Sequence, residues 1–112
     1  MSIEEDIKRI IIDTLSSHSI AFQSIAIFGS RARKDNKSDS DYDIMIIIEK
    51  DIKRDIKLRI LKTIMQKLAL VYIKSGITAG SDVFIKSVKE IEYYKNKPGS
   101  LVKNVVEEST VL

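Results

Sequence analysis

Two short segments of this chain carry side chains suited to chemistry on phosphates. Gly29-Ser30 follows one apolar run, and Asp41-Tyr42-Asp43 opens the next. Glycine lets the backbone come close to a ligand, and Ser30 is suited to cap a short helix whose free N–H groups would face phosphates. Paired carboxylates are oxygen ligands of the kind that Mg²⁺ or Mn²⁺ prefers. Together the two segments have the minimum equipment for chemistry on a nucleoside triphosphate.

The acidic residues are expected to share one face of a strand. Side chains alternate along a strand, so Asp41 and Asp43 point the same way, with Cα atoms about 7 Å apart. Asp39 shares this alternation, and the pattern alone does not choose the pair. Asp82, at the start of a third apolar run, can complete the metal ligands or take a proton from an attacking hydroxyl. A lone Asp at a strand start is, however, more often a turn residue.

Arg31 and Arg33 are candidates for a guanidinium contact with the triphosphate. Only one of the two need contact the triphosphate, because near neighbours on a helix point in different directions. Taken singly, a Gly-Ser pair after a strand is usually a turn, and an Asp-rich segment is usually a loop. The four identities of the two motifs together arise by chance in about one chain per thousand.

The bulk composition predicts one globular domain covering residues 1–112. The chain has no cysteine, which removes disulfides, thiolate catalysis and a Cys-based zinc site. The apolar runs at 44–48 and 68–73 are too short to span a bilayer. The acidic start of the chain is unlike a signal peptide, so we expect a cytoplasmic protein without membrane contact.

A formal net charge of +3 gives only a mild basic bias. Solvated Lys-rich helix faces explain it better than a nucleic-acid patch. With four Tyr, three Phe and no Trp, the chain also lacks the aromatic interleaving that stacks bases. We therefore do not expect direct nucleic-acid binding, and we expect the single His18 to cap the first helix rather than to bind a ligand.

The hydrophobic pattern predicts a sheet covered by helices. A capping box at Ser2 and Glu5 opens the first helix, and a second at Ser87 and Glu90 opens a later one. The stripe predicted to be buried on the middle helix comprises Leu61, Ile64, Met65, Leu68 and Tyr72. In chain order we predict a helix that opens at Ser2 and ends near His18, strand 24–28, a short helix at 31–33, strand 44–48, helix 58–72, strand 82–85, helix 87–94, helix 101–106 and an edge strand at 110–112.

The two motifs resemble a known family. Gly29-Ser30, ten intervening residues and Asp41-Tyr42-Asp43 look like the signature of the DNA polymerase β-like nucleotidyltransferase superfamily. The fuller string GSRAR…SDSDYDIMIII is similar to the minimal nucleotidyltransferase (MNT) subgroup. The resemblance covers most of the chain, with Asp82 on the strand of the third acid. Lys34 departs from the subgroup, which often has glycine there.

This resemblance implies an α/β (α+β) fold in which helices pack against a mixed β-sheet. It implies that Asp41, Asp43 and Asp82 bind two Mg²⁺ ions, with Mn²⁺ as the alternative, and that Gly29 and Ser30 hold the β- and γ-phosphates of ATP. Small MNT proteins are often antitoxins encoded beside a HEPN-domain ribonuclease toxin. The implied reaction is transfer of AMP to a hydroxyl of that toxin, namely that of a tyrosine.

Three other functions are alternatives to this one. A binding module would neutralise a toxin by covering it, and would keep that ability if Asp41 and Asp43 were replaced by Asn. A small-molecule nucleotidyltransferase, acting for example on an antibiotic hydroxyl, would share the site and differ in its acceptor. The hypothesis of a nucleic-acid-binding protein rests on net charge alone.

Tyr93 and Tyr94 could mark a contact surface, although packing within the domain is favoured.

Overall fold

The computed structural model describes residues 2–28, 42–76, 80–94, 97 and 110–111, the last pair as backbone only. The predicted short helix at 31–33 and helix at 101–106 fall outside these residues. No helix in the described ranges is both long and apolar enough to cross a bilayer. The described elements are α1 (Ile3–Ser17), β1 (Phe22–Phe28), β2 (Tyr42–Ile48), α2 (Arg54–Lys74), β3 (Ser81–Ser87), α3 (Val88–Tyr94) and β4 (Thr110–Val111).

The strands form one mixed sheet in the order β3-β2-β1-β4. β1 runs antiparallel to both of its neighbours, β2 and β4. β2 and β3 run parallel, which requires a long crossover, and α2 supplies it. The mixed sheet and its helices confirm the predicted α/β (α+β) class.

The serine cap of each predicted capping box is present. The Glu5 backbone N–H donates to Ser2 Oγ at 3.2 Å, which satisfies one of the free donors at the start of α1. At the start of α3 the box is reciprocal: the Glu90 N–H donates to Ser87 Oγ, and the Ser87 N–H donates to the Glu90 carboxylate, both at 3.2 Å. His18 is the C-terminal cap of α1, as the sequence predicts.

Helix α2 is longer than predicted, and its buried stripe is shifted. The residues that bury most completely are spaced four apart: Ile60, Ile64, Leu68 and Tyr72. Met65, which we predicted to be in the core, is 44% exposed. Successive helical residues differ by about 100° in direction, so Met65 points well away from Ile64. The prediction placed the stripe too far round the helix and missed Ile60.

The two faces of the sheet pack differently. One face carries Ile25, Ile27, Ile44, Ile46 and Ile85, which join α1 and α2 residues in the main core. The other face carries a smaller cluster in which Phe28 and Met45 are buried and Ile47 and Phe84 are half-buried. Within the described part of the chain, no helix residue belongs to this second cluster. Burial on both faces explains why β2 shows no apolar–polar alternation.

One packing prediction is wrong. Tyr93 and Tyr94 on α3 are 64% and 40% exposed, instead of packing into the domain. Their rings meet edge to face, with centroids 4.6 Å apart. The Lys97 ammonium lies 4.6 Å from the centre of the Tyr93 ring. Short α3 has no buried residue, so its aromatic side chains remain near the surface.

Candidate active site

The structure brings two of the predicted acids side by side. Asp43 and Asp82 are each the second residue of a strand, and they are register partners in the parallel pair β2–β3. Neighbouring strands lie about 4.8 Å apart, and register partners project from the same face. Asp43 is half-buried and Asp82 is exposed. The two carboxylates therefore lie together at one end of the sheet, with access to solvent.

An apolar surface lies beside the acids on the same face. Phe28 is the register partner of Asp43 on β1. Phe84 follows Asp82 by two residues and is the register partner of Met45. The Phe28 and Phe84 ring centroids are 6.0 Å apart, with the planes tilted by 47°. This cluster gives the carboxylates a rigid apolar base, as expected for a site built on strands.

The opposite face of the same strand ends is anchored to α2. Tyr42 is 3% exposed, and its ring stacks on that of Tyr72 with centroids 5.6 Å apart and planes 19° apart. The Tyr72 hydroxyl is hydrogen-bonded to Ser81 Oγ. The Tyr42 backbone N–H donates to the Gly80 carbonyl at 3.0 Å. The residue before each acid is therefore in contact with α2: Tyr42 precedes Asp43, and Ser81 precedes Asp82.

The other predicted site residues lie outside the described ranges: Gly29, Ser30, Arg31, Arg33 and Asp41. In the sequence, Gly29 directly follows Phe28, and Asp41 directly precedes Tyr42. Their roles therefore remain predictions.

The described carboxylate pair suits a divalent cation. Two anionic oxygen donors on adjacent strands repel each other unless a positive charge lies nearby, and an all-oxygen donor set fits Mg²⁺ or Mn²⁺. In the described ranges, no three His, Asp or Glu side chains converge into a candidate metal site. The pair Asp43 and Asp82 would therefore need a further ligand, which the sequence predicts to be Asp41.

Comparison with known protein families identifies the class. Residues 9–112 match the family described as polymerase beta, nucleotidyltransferase. The match covers nearly the whole chain, and the protein therefore belongs to this nucleotidyltransferase family. The superfamily resemblance seen in the two motifs is confirmed. A search of proteins with curated functions found no match.

Two solved structures have a similar fold. A chain in a mutant of the MntA–HpeT toxin–antitoxin complex superposes with a TM-score of 0.52 at 22% identity, covering 94% of this chain and 70% of that one. A chain in a second MntA–HpeT mutant gives a TM-score of 0.53 at 18% identity, covering 99% and 72%. At sequence identities this low, the similarity to these two chains shows a shared fold and no more.

Sequence reasoning missed the contacts behind the acids. The sequence predicts Tyr72 only as a core residue of α2 and indicates no role for Ser81. The Tyr72 hydroxyl was the sequence signal for such a contact, because a buried hydroxyl normally needs a hydrogen-bond partner. The identity of that partner depends on how α2 docks on β3, which no local pattern encodes.

Proposed function

We propose that this protein transfers AMP from ATP to a tyrosine hydroxyl of a HEPN-type ribonuclease toxin, and so acts as an antitoxin. The observation that carries the proposal is the pairing of Asp43 with Asp82 at matching positions of two parallel strands, in a chain of the nucleotidyltransferase family. The partner class is supported by the MNT-like motif and by the toxin–antitoxin complexes in which the similar folds occur.

In this proposal Asp41, Asp43 and Asp82 hold two Mg²⁺ ions. The donor chemistry supports this assignment, since all their ligand atoms are carboxylate oxygens. When bound, the Mg²⁺ ions neutralise charge on the phosphates and orient the reacting oxygens. The apolar surface formed by Phe28 and Phe84 limits the movement of the two strand ends that carry Asp43 and Asp82.

The phosphate contacts come from the segment after β1. Gly29 lets the backbone approach the β- and γ-phosphates, and Ser30 binds them. Arg31 or Arg33 adds a guanidinium to the triphosphate. Because Gly29 follows the register partner of Asp43 in the sequence, the proposed phosphate and metal residues derive from neighbouring strand ends.

The reaction exchanges one phosphorus–oxygen bond for another. The acceptor hydroxyl oxygen bonds to the α-phosphorus of ATP, and the bond from that phosphorus to the oxygen bridging to the β-phosphate breaks. Pyrophosphate leaves with the electron pair of that bond. The hydroxyl proton passes to Asp82 or to water. Positioning and charge neutralisation supply most of the rate enhancement in such transfers, which is what the proposed site residues offer.

Adenylylation would inactivate the toxin by simple physical means. It adds a phosphate charge and a nucleoside to the tyrosine. Next to an RNA-binding surface, that charge repels the phosphate backbone and the nucleoside occupies space. One modification can therefore block the ribonuclease without unfolding it.

The proposal is tested with ATP labelled at the α-phosphate, Mg²⁺ and the protein encoded by the adjacent gene. We expect label on a tyrosine of that partner, lost with Asp43→Asn or Asp41→Asn. Asp13→Asn is the matched control, because Asp13 is exposed on α1 and lies outside the proposed site. Complex formation without label on any partner residue, together with neutralisation that survives Asp43→Asn, would favour the non-catalytic binder. Label on a small-molecule hydroxyl alone would favour the small-molecule nucleotidyltransferase.

A further inference from the structure

Tyr72 touches the immediate sequence neighbours of both described acids. Its ring stacks on Tyr42, the residue before Asp43. Its hydroxyl bonds to Ser81, the residue before Asp82. Tyr72 is 3% exposed and sits near the end of a 21-residue helix whose preceding turns are fixed in the core by Ile64 and Leu68. A single side chain on a rigid helix therefore contacts both strand ends at the site.

The strand ends need such a support. Asp43 and Asp82 lie only one residue inside β2 and β3, so a single register pair of the β2–β3 ladder, Tyr42 and Ser81, lies beyond them. The Tyr42 N–H to Gly80 carbonyl bond adds a backbone link next to the first register pair of this ladder, Tyr42 and Ser81. Because strand side chains alternate, Tyr42 and Ser81 point towards α2 while the acids point to the opposite face. Fixing the first pair thus fixes the position of the second pair.

Packing alone does not explain why this residue is tyrosine. Phenylalanine would fill the same volume and stack on Tyr42 equally well. The hydroxyl adds a polar group that must find a partner when buried, and here the partner belongs to the acid-bearing strand β3. The other fully buried residues of the α2 stripe are aliphatic: Ile60, Ile64 and Leu68.

We infer that Tyr72 is a positioning residue that sets the spacing of Asp43 and Asp82 for a divalent cation, through its stack on Tyr42 and its bond to Ser81. This inference rests on the proposed metal-dependent function. It makes a prediction distinct from a packing role: loss of the Tyr72–Ser81 bond weakens metal binding more than it disturbs the fold.

The test measures Mn²⁺ binding to the full chain, without nucleotide, by loss of the free-ion electron paramagnetic resonance signal. Tyr72→Phe and Ser81→Ala should each raise the Mn²⁺ dissociation constant by about tenfold, the lower end of the usual range for residues that orient metal ligands. The double variant should be no worse than either single variant, because both remove the same bond.

A matched control lies on the same strand. Ser87→Ala makes the same substitution at the far end of β3, where Ser87 is buried and caps α3. It should lower thermal stability while leaving the Mn²⁺ dissociation constant within twofold of wild type. In transfer assays, Tyr72→Phe should raise the Mg²⁺ concentration for half-maximal rate and leave the rate at saturating Mg²⁺ nearly unchanged.

The outcomes separate the inference from the proposed function. If wild type binds Mn²⁺ and Tyr72→Phe binds it equally well, Tyr72 only packs and the inference is overturned. If Ser87→Ala weakens Mn²⁺ binding as much as Ser81→Ala, the effect is general destabilisation and the inference is also overturned. If wild type itself neither binds Mn²⁺ nor transfers AMP, the proposed function fails, and the positioning role fails with it.

Discussion

Replacing Asp82 by asparagine should stabilise the metal-free protein while removing its activity. Asp43 and Asp82 are register partners on parallel strands and project from one face. Without a cation between them, we expect the like charges of the two carboxylates to repel each other. Asparagine keeps nearly the same shape and removes one of the two charges. A site selected for metal binding is expected to sacrifice stability in this way.

The expected gain in folding stability follows from the distance between the two carboxylates. Adjacent strands place the two carboxylates about 5 to 7 Å apart. Asp82 is exposed and Asp43 half-buried, so a water-like dielectric applies, and Coulomb's law gives about 0.6 to 0.8 kcal/mol. For a domain of this size that gain raises the melting temperature by about 3 °C. Salt screens exposed charges, so the difference should shrink at high ionic strength.

The assay is thermal unfolding followed by circular dichroism in low-salt buffer, with EDTA or with Mg²⁺. Wild type should melt below Asp82→Asn in EDTA. At ten times its dissociation constant, Mg²⁺ should stabilise wild type by about 1.4 kcal/mol and the variant much less. Asp13→Asn should respond to Mg²⁺ as wild type does. A lower melting temperature for Asp82→Asn than for wild type in EDTA, or an equal rise of both with Mg²⁺, would refute the predicted repulsion between Asp43 and Asp82.

Three further predictions concern the fold. Ser87→Ala removes the hydroxyl that accepts the Glu90 N–H, so it should cost about 1 kcal/mol in urea unfolding; a change below about 0.3 kcal/mol would contradict the cap. Ser19 has a φ of 57°, in the left-handed region that favours glycine. Ser19→Gly should therefore stabilise the protein by about 1 kcal/mol and raise its melting temperature by a few degrees; a lower melting temperature would count against the left-handed turn. Ile64→Ala should cost about 2 to 5 kcal/mol because Ile64 is fully buried, whereas Met65→Ala should cost below about 1 kcal/mol; equal costs would contradict the observed orientation of α2.

Much of the fold was predictable because local rules determined it. The capping boxes at Ser2 and Ser87 needed only residue identity and spacing. The apolar run at 44–48 indicated a strand covered on both faces, and the structure confirms it. Strand starts were predicted less well: β2 begins at Tyr42 rather than Ile44. Polar residues interrupt the apolar pattern that marks a strand, so the apolar run at 44–48 left out Tyr42 and Asp43, which alternation alone assigned to the strand.

The errors on α2 and α3 come from tertiary packing. Met65 fits a helical stripe by spacing, but the sheet and α1 cover a different arc of α2, centred on residues such as Ile64. Tyr93 and Tyr94 are large and amphipathic, and pattern rules cannot tell whether a neighbouring element covers them. In both cases the residues are hydrophobic, but whether they are buried depends on elements distant in sequence.

The site itself was predicted in part. Alternation placed Asp41 and Asp43 on one face, but only the topology shows that β3 lies parallel to β2 in the register that pairs Asp43 with Asp82. Strand order and register depend on the whole sheet, which no short motif specifies. The family resemblance supplied the expectation of a third acid, and the structure supplies the neighbouring position of Asp82.

The claim on which the proposal depends is that Asp43 and Asp82 bind one divalent cation together. Anomalous diffraction from crystals grown with Mn²⁺ and a non-reacting ATP analogue tests it directly. We predict a manganese peak within about 2.3 Å of a carboxylate oxygen of each residue. A peak bonded to neither residue, or to one with the other carboxylate turned away, would contradict the account.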